Sequence, residues 1–113
     1  MLVLHLVRFF DDGTGRAADS LLKDERPVTI DSTLQFGDAF YALRSVVVHI
    51  GQTLRGGHYV CYERTGGGAS NSADGWVRYD DARVSDMTDP TQRADVRAGA
   101  YLLFYERVGR AVA

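Results

Sequence analysis

Residues 56–64 read GGHYVCYER and residues 76–81 read WVRYDD, with the segment TGGGASNSADG (65–75) between them. The first stretch alternates apolar and polar residues as a half-buried β-strand does, and the second can return beside it. The intervening segment is rich in Gly, Ser and Asn, and little in it can offset the entropy lost on ordering. These stretches therefore predict an antiparallel hairpin with a flexible loop at residues 65–75.

The rest of the chain also shows mostly strand-like patterns. Residues 41–50, YALRSVVVHI, are apolar and rich in β-branched residues, which predicts a central strand. Thr88-Asp89-Pro90 resembles a helix start, so a short helix is predicted over Thr91–Arg97. The remaining extended segments are Leu2–Phe10, a short piece at Pro27–Ile30, and Ala100–Val108, while Leu34–Phe40 is ambiguous. Five or so strands with almost no helix predict an α+β fold that is mostly antiparallel β.

Composition limits the classes of function. The 113 residues suffice for one globular domain, and a formal charge of −2 gives no reason to expect nucleic acid or a membrane as a partner. Neither a signal peptide nor a membrane span is recognisable. The single cysteine, Cys61, excludes a disulfide framework and a multi-cysteine zinc site supplied by this chain alone. An intracellular protein of the cytoplasm or nucleus, with no metal or other cofactor, is expected.

A histidine and an aspartate are placed where they can meet across the predicted hairpin. If the hairpin is centred near residue 70, residue 60 faces residue 80, and His58 and Asp80 become diagonal neighbours on one sheet face. Asp81 would point to the other face unless the strand bulges. An imidazole beside a carboxylate is the pairing that nucleophile–histidine–acid triads use. A structural histidine and a solvated strand end are the alternatives that these residues leave open.

Cys61 is a poor candidate for the nucleophile of such a triad. It follows His58 by three residues on one strand, so the two side chains point to opposite faces and their Cα atoms are about 10 Å apart. The same arrangement makes them a poor metal-binding pair. Cys61 is interpreted as a small, buried or half-buried apolar residue. His5 and His49 lie within apolar strands and are interpreted as core or sheet-face residues.

The order of the motifs resembles one known family. LHLVRF (4–9) is followed by YALRSVVVHIG (41–51), GGHYVCYER (56–64), WVRYDDARV (76–84) and AYLLFYER (100–107). This order is similar to the C-terminal part of the ubiquitin-specific protease catalytic domain. The resemblance implies the palm-subdomain portion of a papain-like cysteine peptidase fold. It also implies a thiol-dependent deubiquitinase, which hydrolyses the bond after the C-terminal glycine of ubiquitin.

The family's functional positions have counterparts in this chain. The resemblance implies that His58 is the general base, that Asp80 orients it and that Asp81 supports catalysis. It further implies that the loop Gly51–Gly57 covers the C-terminal tail of ubiquitin. The implied tail-binding residues are Gly51, Gly56, Gly57 and Tyr59. Glycines at 56 and 57 would line a narrow channel that admits only a Gly-Gly tail, since any side chain there would fill it.

Two departures from the family pattern bear on activity. Val7 replaces the usual lysine, which is expected to be tolerated, and the cysteine motif that carries the family's nucleophile is not found in this sequence. Residues 1–113 are therefore expected to form a single partial domain whose cysteine-bearing N-terminal half is missing, and to be inactive alone. The expected partners are that half, ubiquitin and ubiquitinated proteins.

Two other functions remain open. The chain could be a catalytically dead relic that binds ubiquitin or acts as a scaffold after losing its nucleophile. It could also be a β-rich interaction domain with no connection to ubiquitin.

Overall fold

The structure is a computed structural model, and it describes residues 1–11, 21–54, 56–65 and 75–110. Nine strands and one short α-helix lie in these ranges. The strands are β1 (Leu2–His5), β2 (Phe9–Phe10), β3 (Leu22–Lys23), β4 (Thr33–Phe36), β5 (Ala39–Ile50), β6 (His58–Arg64), β7 (Trp76–Asp80), β8 (Arg83–Met87) and β9 (Ala100–Arg110). The helix, α1, spans Ala94–Gly99 and follows a 3₁₀ helix at Pro90–Gln92.

The long strand β5 is the centre of the main sheet. It pairs with β9 along one edge and with β4 and then β6 along the other. The path β1-β9-β5-β6-β7-β8 runs across this sheet, and β2 pairs with β3 in a separate two-stranded sheet. Every pairing is antiparallel. The predicted central strand and the predicted fold class are both confirmed.

One face of the main sheet carries the hydrophobic core. Alternation along β5 and β6 places Val46, Val48, Val60 and Tyr62 on this face, all of them buried. Val96 of α1 belongs to the same cluster, so the helix covers part of the sheet. The other members of the cluster are Ile30, Leu43, Trp76, Ala100, Leu103 and Tyr105. Burying each large apolar side chain of this kind stabilises the fold by about 1.5–3 kcal/mol.

The first predicted strand is interrupted. The pattern over Leu2–Phe10 predicts one strand, but β1 ends at His5 and β2 begins at Phe9. Between them, the buried Arg8 side chain donates hydrogen bonds to the carbonyl groups of Ala100, Asp24, Arg26 and Arg97 at 2.5–2.9 Å. These bonds draw the chain away from the edge of the main sheet. The prediction of one continuous strand is therefore wrong.

Other element boundaries also differ from the predicted ones. The ambiguous segment Leu34–Phe40 contains the turn between β4 and β5, with Gly37 at φ +64°. Pro27–Ile30 forms no strand. The edge strand β8 has no sequence prediction, because RVSDM lacks apolar alternation and four of its five residues are exposed. The predicted helix is split, because the extended backbone of Arg93 (ψ 136°) separates the 3₁₀ helix from α1.

Most of the loop predicted at residues 65–75 lies outside the described residues. At its two ends, the Thr65 amide donates a hydrogen bond of 2.9 Å to the carbonyl of Gly75, which closes the β6–β7 pairing. Among the helices of the described ranges, none has the length and apolar character that a membrane span requires.

Candidate active site

The β6–β7 hairpin sets the position of the candidate catalytic residues. Cys61 faces Tyr79 and Tyr62 faces Arg78, which is the register expected for a hairpin centred near residue 70. One step further along, His58 at the start of β6 and Asp80 at the end of β7 project from the same sheet face. The predicted register is confirmed.

His58 and Asp80 are in direct contact. The ring nitrogen Nε2 of His58 lies 2.5 Å from Oδ1 of Asp80, and the two side chains are 44% and 25% exposed. The hydrogen bond raises the pKa of His58 above its ordinary value, with further contributions from the charges of Asp80 and Asp81. The same hydrogen bond lowers the pKa of Asp80. Since Nε2 is engaged with the carboxylate, Nδ1 is the nitrogen available to exchange a proton with a reacting group.

Arg78 completes this arrangement from the same strand face. Its Nη1 lies 3.2 Å from Oδ2 of Asp80, and its Nε donates to the hydroxyl of Tyr62 at 3.3 Å. Tyr62 is buried, so the guanidinium is held between a fixed hydroxyl and the carboxylate. The arginine leaves Oδ1 of Asp80 to His58 and helps to keep the carboxylate ionised. Sequence analysis did not identify Arg78, although its i, i+2 spacing from Asp80 on a strand was a usable signal.

Asp81 does not lie on the face that strict alternation gives it. Strand β7 ends at Asp80, and Asp81 begins the turn to β8 with a φ of 52°, in the left-handed region. This backbone turn brings Oδ2 of Asp81 to 3.8 Å from Nε2 of His58. At this distance the exposed Asp81 carboxylate, 82% accessible, adds negative charge near the imidazole. The hydrogen bond from Nε2 is accepted by Asp80.

The histidine and the two aspartates also form a group of ligand-type atoms. One atom from each of His58, Asp80 and Asp81 lies within 4.8 Å of the others. A metal ion would have to replace the His58–Asp80 hydrogen bond, because Nε2 cannot donate a proton and bind a metal at the same time. The short contact between His58 and Asp80 is the geometry of an oriented imidazole.

Cys61 lies away from this pair. It faces Val47 on one side and Tyr79 on the other, on the sheet face opposite His58. Burial raises the pKa of the Cys61 thiol, and the nearby Glu63 carboxylate raises it further. A reactive thiolate needs a lowered pKa and a base beside it, and Cys61 has neither. The structure agrees with the interpretation of Cys61 as a half-buried apolar residue.

The loop that leads to His58 is pinned at its base. The Lys23 amide donates to the Gln52 carbonyl at 2.9 Å, and the Leu54 amide donates to the Leu21 carbonyl at 3.1 Å. The Gly56 amide donates to Oγ1 of Thr53 at 3.1 Å. The first two bonds hold the loop against β3 and the residue before it, and the third is internal to the loop.

The glycines of this loop are packed closely. Gly51 has a φ of +125°, and a Cβ there would lie 3.0 Å from the Cα of Gly57. Such a conformation and such a contact both favour glycine. Tyr59, a predicted tail-binding residue, projects from the face opposite His58, where its ring contacts His49 edge-on at 5.1 Å between centroids. The structure therefore groups Gly51, Gly56 and Gly57 next to His58, and it places Tyr59 on the other side of the sheet.

Comparisons with known proteins agree on one family. The family model described as ubiquitin carboxyl-terminal hydrolase matches residues 1–105. Ubiquitin carboxyl-terminal hydrolase 10-A of Xenopus laevis is 32% identical over 96% of this chain and 14% of its own length. Ubiquitin carboxyl-terminal hydrolase 9 of Saccharomyces cerevisiae is 32% identical over 94% of this chain and 14% of its own length. The chain thus spans about one seventh of these two relatives.

Solved structures show the same likeness. The SAGA DUB module of Ubp8, Sgf11, Sus1 and Sgf73 superposes with a TM-score of 0.73 and 28% identity, over 96% of this chain and 23% of the matched chain. A Ubp8 module bound to monoubiquitin gives the same TM-score and identity. The family resemblance expected from the ordered motifs is confirmed. By fold, sequence and family model together, this chain belongs to the ubiquitin carboxyl-terminal hydrolase family.

Proposed function

We propose that this chain supplies the general base, the orienting acid and the tail-covering loop for cysteine-dependent hydrolysis of the bond after the C-terminal glycine of ubiquitin. The observation that carries this proposal is the contact between Nε2 of His58 and Oδ1 of Asp80, at 2.5 Å. Membership of the ubiquitin carboxyl-terminal hydrolase family and the likeness to a Ubp8 module bound to monoubiquitin support ubiquitin as the partner.

The proposed reaction needs a cysteine from a segment other than residues 1–113. Nδ1 of His58 takes the proton of that thiol, and the resulting thiolate attacks the carbonyl carbon of the last glycine of ubiquitin. The protonated imidazole then gives its proton to the departing lysine amine, which leaves a thioester that water hydrolyses with His58 again acting as base. The raised pKa of His58 favours the imidazolium, and hence the thiolate, before substrate arrives.

Asp80 has the role of the orienting acid in this reaction. Its carboxylate accepts a hydrogen bond from Nε2–H, which fixes the tautomer and turns Nδ1 toward the reacting atoms. Arg78 holds the second carboxylate oxygen at 3.2 Å, so the carboxylate cannot rotate freely. Asp81 adds a second negative charge at 3.8 Å from the imidazole and supports its protonated form. We further propose that such an enzyme acts in the cytoplasm or nucleus on ubiquitinated proteins.

The test is a fusion in which the cysteine-bearing N-terminal part of a family member such as Ubp8 precedes residues 1–113. We expect this fusion protein to release the fluorophore from a ubiquitin C-terminal amide. Asp80→Ala should lower kcat more than Asp80→Asn, because an amide oxygen can still accept a hydrogen bond from Nε2–H and orient the ring. Tight ubiquitin binding without hydrolysis, in fusions with several cysteine-bearing parts that are active in their own proteins, would instead indicate a non-catalytic ubiquitin-binding chain.

A further inference from the structure

A buried histidine lies on the opposite side of the sheet from the candidate base. His49, near the end of β5, is only 1% exposed, and neither of its ring nitrogens makes a hydrogen bond in the described part of the chain. Phe9 and Tyr59 contact the ring edge-on, with centroids at 4.9 and 5.1 Å. Burial lowers the pKa of His49 and the nearby Lys23 ammonium lowers it further, whereas backbone groups at residues 53 and 54 raise it. Packing against Phe9 and Tyr59 holds the imidazole in place.

The His49 ring touches the backbone that carries the candidate base. A Cβ built on Gly57 would lie 1.8 Å from Nε2 of His49, 2.4 Å from Cε1 and 2.7 Å from Cδ2. No side chain can be added at residue 57 while the ring keeps its place, since real Cβ atoms do not approach other atoms so closely. Gly57 is followed directly by His58, so the position of the ring constrains the entry of β6.

The neighbouring glycine is in a different situation. Among the described residues, a Cβ on Gly56 would meet Oγ1 of Thr53 at 2.8 Å and no other atom within 4 Å beyond its chain neighbours. That hydroxyl belongs to a side chain that can rotate. Gly56 therefore provides a matched comparison, one residue away in the same loop. The conflict at Gly57 is with a ring that is enclosed by Phe9 and Tyr59.

We propose that His49 is a positioning residue, whose buried ring fixes the backbone at Gly57 and thereby places the His58 imidazole against Asp80. It follows that glycine is required at residue 57 by a contact inside the protein, whether or not a ubiquitin tail passes above it. This inference deepens the proposed function and rests on His58 being the base of that function.

The test is a double-mutant cycle in the 113-residue chain, with readouts that need no enzymatic activity. The pKa of His58 is measured from the pH dependence of deuterium exchange at its ring C2 position, by mass spectrometry of peptides, and Tm is measured for each variant. Gly57→Ala should lower Tm by about 5–15 °C and return the pKa of His58 to an ordinary value of about 6.5. His49→Ala should also lower the pKa of His58, because the support beneath Gly57 is lost.

The double variant Gly57→Ala/His49→Ala decides the proposal. The new methyl group occupies part of the space that the ring leaves, so both Tm and the pKa of His58 should rise above those of Gly57→Ala. The control Gly56→Ala should leave the pKa of His58 near its original value. Adding His49→Ala to Gly56→Ala should raise neither Tm nor the pKa of His58.

Two results would overturn this assignment. One is a Gly57→Ala chain with unchanged Tm and unchanged His58 pKa, and the other is a double variant that is no better than Gly57→Ala, including one that does not fold. If the fusion protein proved inactive while the cycle gave the expected recovery, the proposed hydrolysis would fail and the contact between His49 and Gly57 would stand.

Discussion

At the scale of single residues, the state of His58 depends on the residues around its Nε2 atom. Asp80 accepts the hydrogen bond at 2.5 Å, Asp81 lies at 3.8 Å, and Arg78 is bound to the far oxygen of Asp80. The first two raise the pKa of His58, whereas the charge of Arg78 lowers it. The hydrogen bond is the largest of these influences, so the identity of residue 80 should control the titration of the imidazole.

We expect Asp80→Asn to lower the pKa of His58, because the amide removes the negative charge and accepts a weaker hydrogen bond. Asp81→Asn should lower it less, since Asp81 acts only through its charge. Deuterium exchange at the ring C2 position measures both effects. An equal or larger shift in Asp81→Asn would show that the short hydrogen bond to Asp80 is not the main influence.

The same pair makes the stability of the chain depend on pH. The pKa of His58 is raised in the folded chain, so its contribution is complete below the ordinary histidine value of about 6.5 and is lost as pH rises through the raised value. The pKa of Asp80 is lowered, so its contribution is present above about 3.9 and is lost as pH falls through the lowered value. Urea denaturation should show less loss between pH 6 and pH 8.5 for Asp80→Asn than for the parent chain.

Some of these residue-level relations could be predicted from sequence. The two-residue period of a strand and a hairpin centre near residue 70 are enough to bring His58 and Asp80 together and to separate Cys61 from both. The position of Asp81 could not be predicted, because it depends on a left-handed backbone conformation at the strand end. The contact between His49 and Gly57 could not be predicted either, because it joins the end of β5 to the residue just before β6 through the shape of the loop between them.

At the scale of elements, strand prediction succeeded where side chains are buried and failed at the edges of the sheet. β5 and β9 are long and apolar, and their patterns are visible in the sequence. β8 is short and exposed, and it is a strand only because β7 offers an unpaired edge. The break between β1 and β2 depends on Arg8, whose buried guanidinium bonds four distant carbonyl groups that local sequence does not reveal.

We expect Arg8→Ala to lower the free energy of unfolding by about 3 kcal/mol or more, because it leaves several buried carbonyl groups without donors. Arg26→Ala is the matched control. Its guanidinium is exposed and pairs with Asp24, while its carbonyl, which Arg8 binds, is kept in the variant. Urea denaturation of the two variants measures the difference. Equal midpoints would show that the Arg8 hydrogen bonds do not stabilise the junction between β1 and β2.

At the scale of the whole molecule, one face of the main sheet carries the hydrophobic core, and the opposite face packs Phe9 and Tyr59 around His49 near one end. The pairing registers align His5, Leu102, Val47, Cys61, Tyr79 and Val84 in one row across the face opposite the core. Cys61 lies in the middle of this row, with a raised thiol pKa. His58 projects from the core face at the start of β6, where its side chain is 44% exposed. The two residues are thus separated by the sheet itself.

The 113-residue chain alone should therefore hydrolyse no fluorogenic ubiquitin amide, because its single thiol is neither activated nor near His58. In the chain alone, Cys61→Ser should leave fluorophore release at the background rate. In the fusion protein, the same substitution should leave kcat/KM unchanged. Metal-free chain with measurable turnover, abolished by Cys61→Ser, would refute this account of Cys61.

The most direct measurement of the central claim is kcat/KM for a fluorogenic ubiquitin amide in the fusion protein, with His58→Ala compared against His5→Ala. His5 is the matched control, because it is an exposed histidine whose ring packs edge-on against Tyr101, with 4.8 Å between the ring centroids. The account predicts a loss of about several thousandfold for His58→Ala, the scale expected when a triad member is removed. It predicts near-parental activity for His5→Ala. Near-parental activity in His58→Ala, or an equal loss in both variants, would contradict the assignment of His58 as the general base.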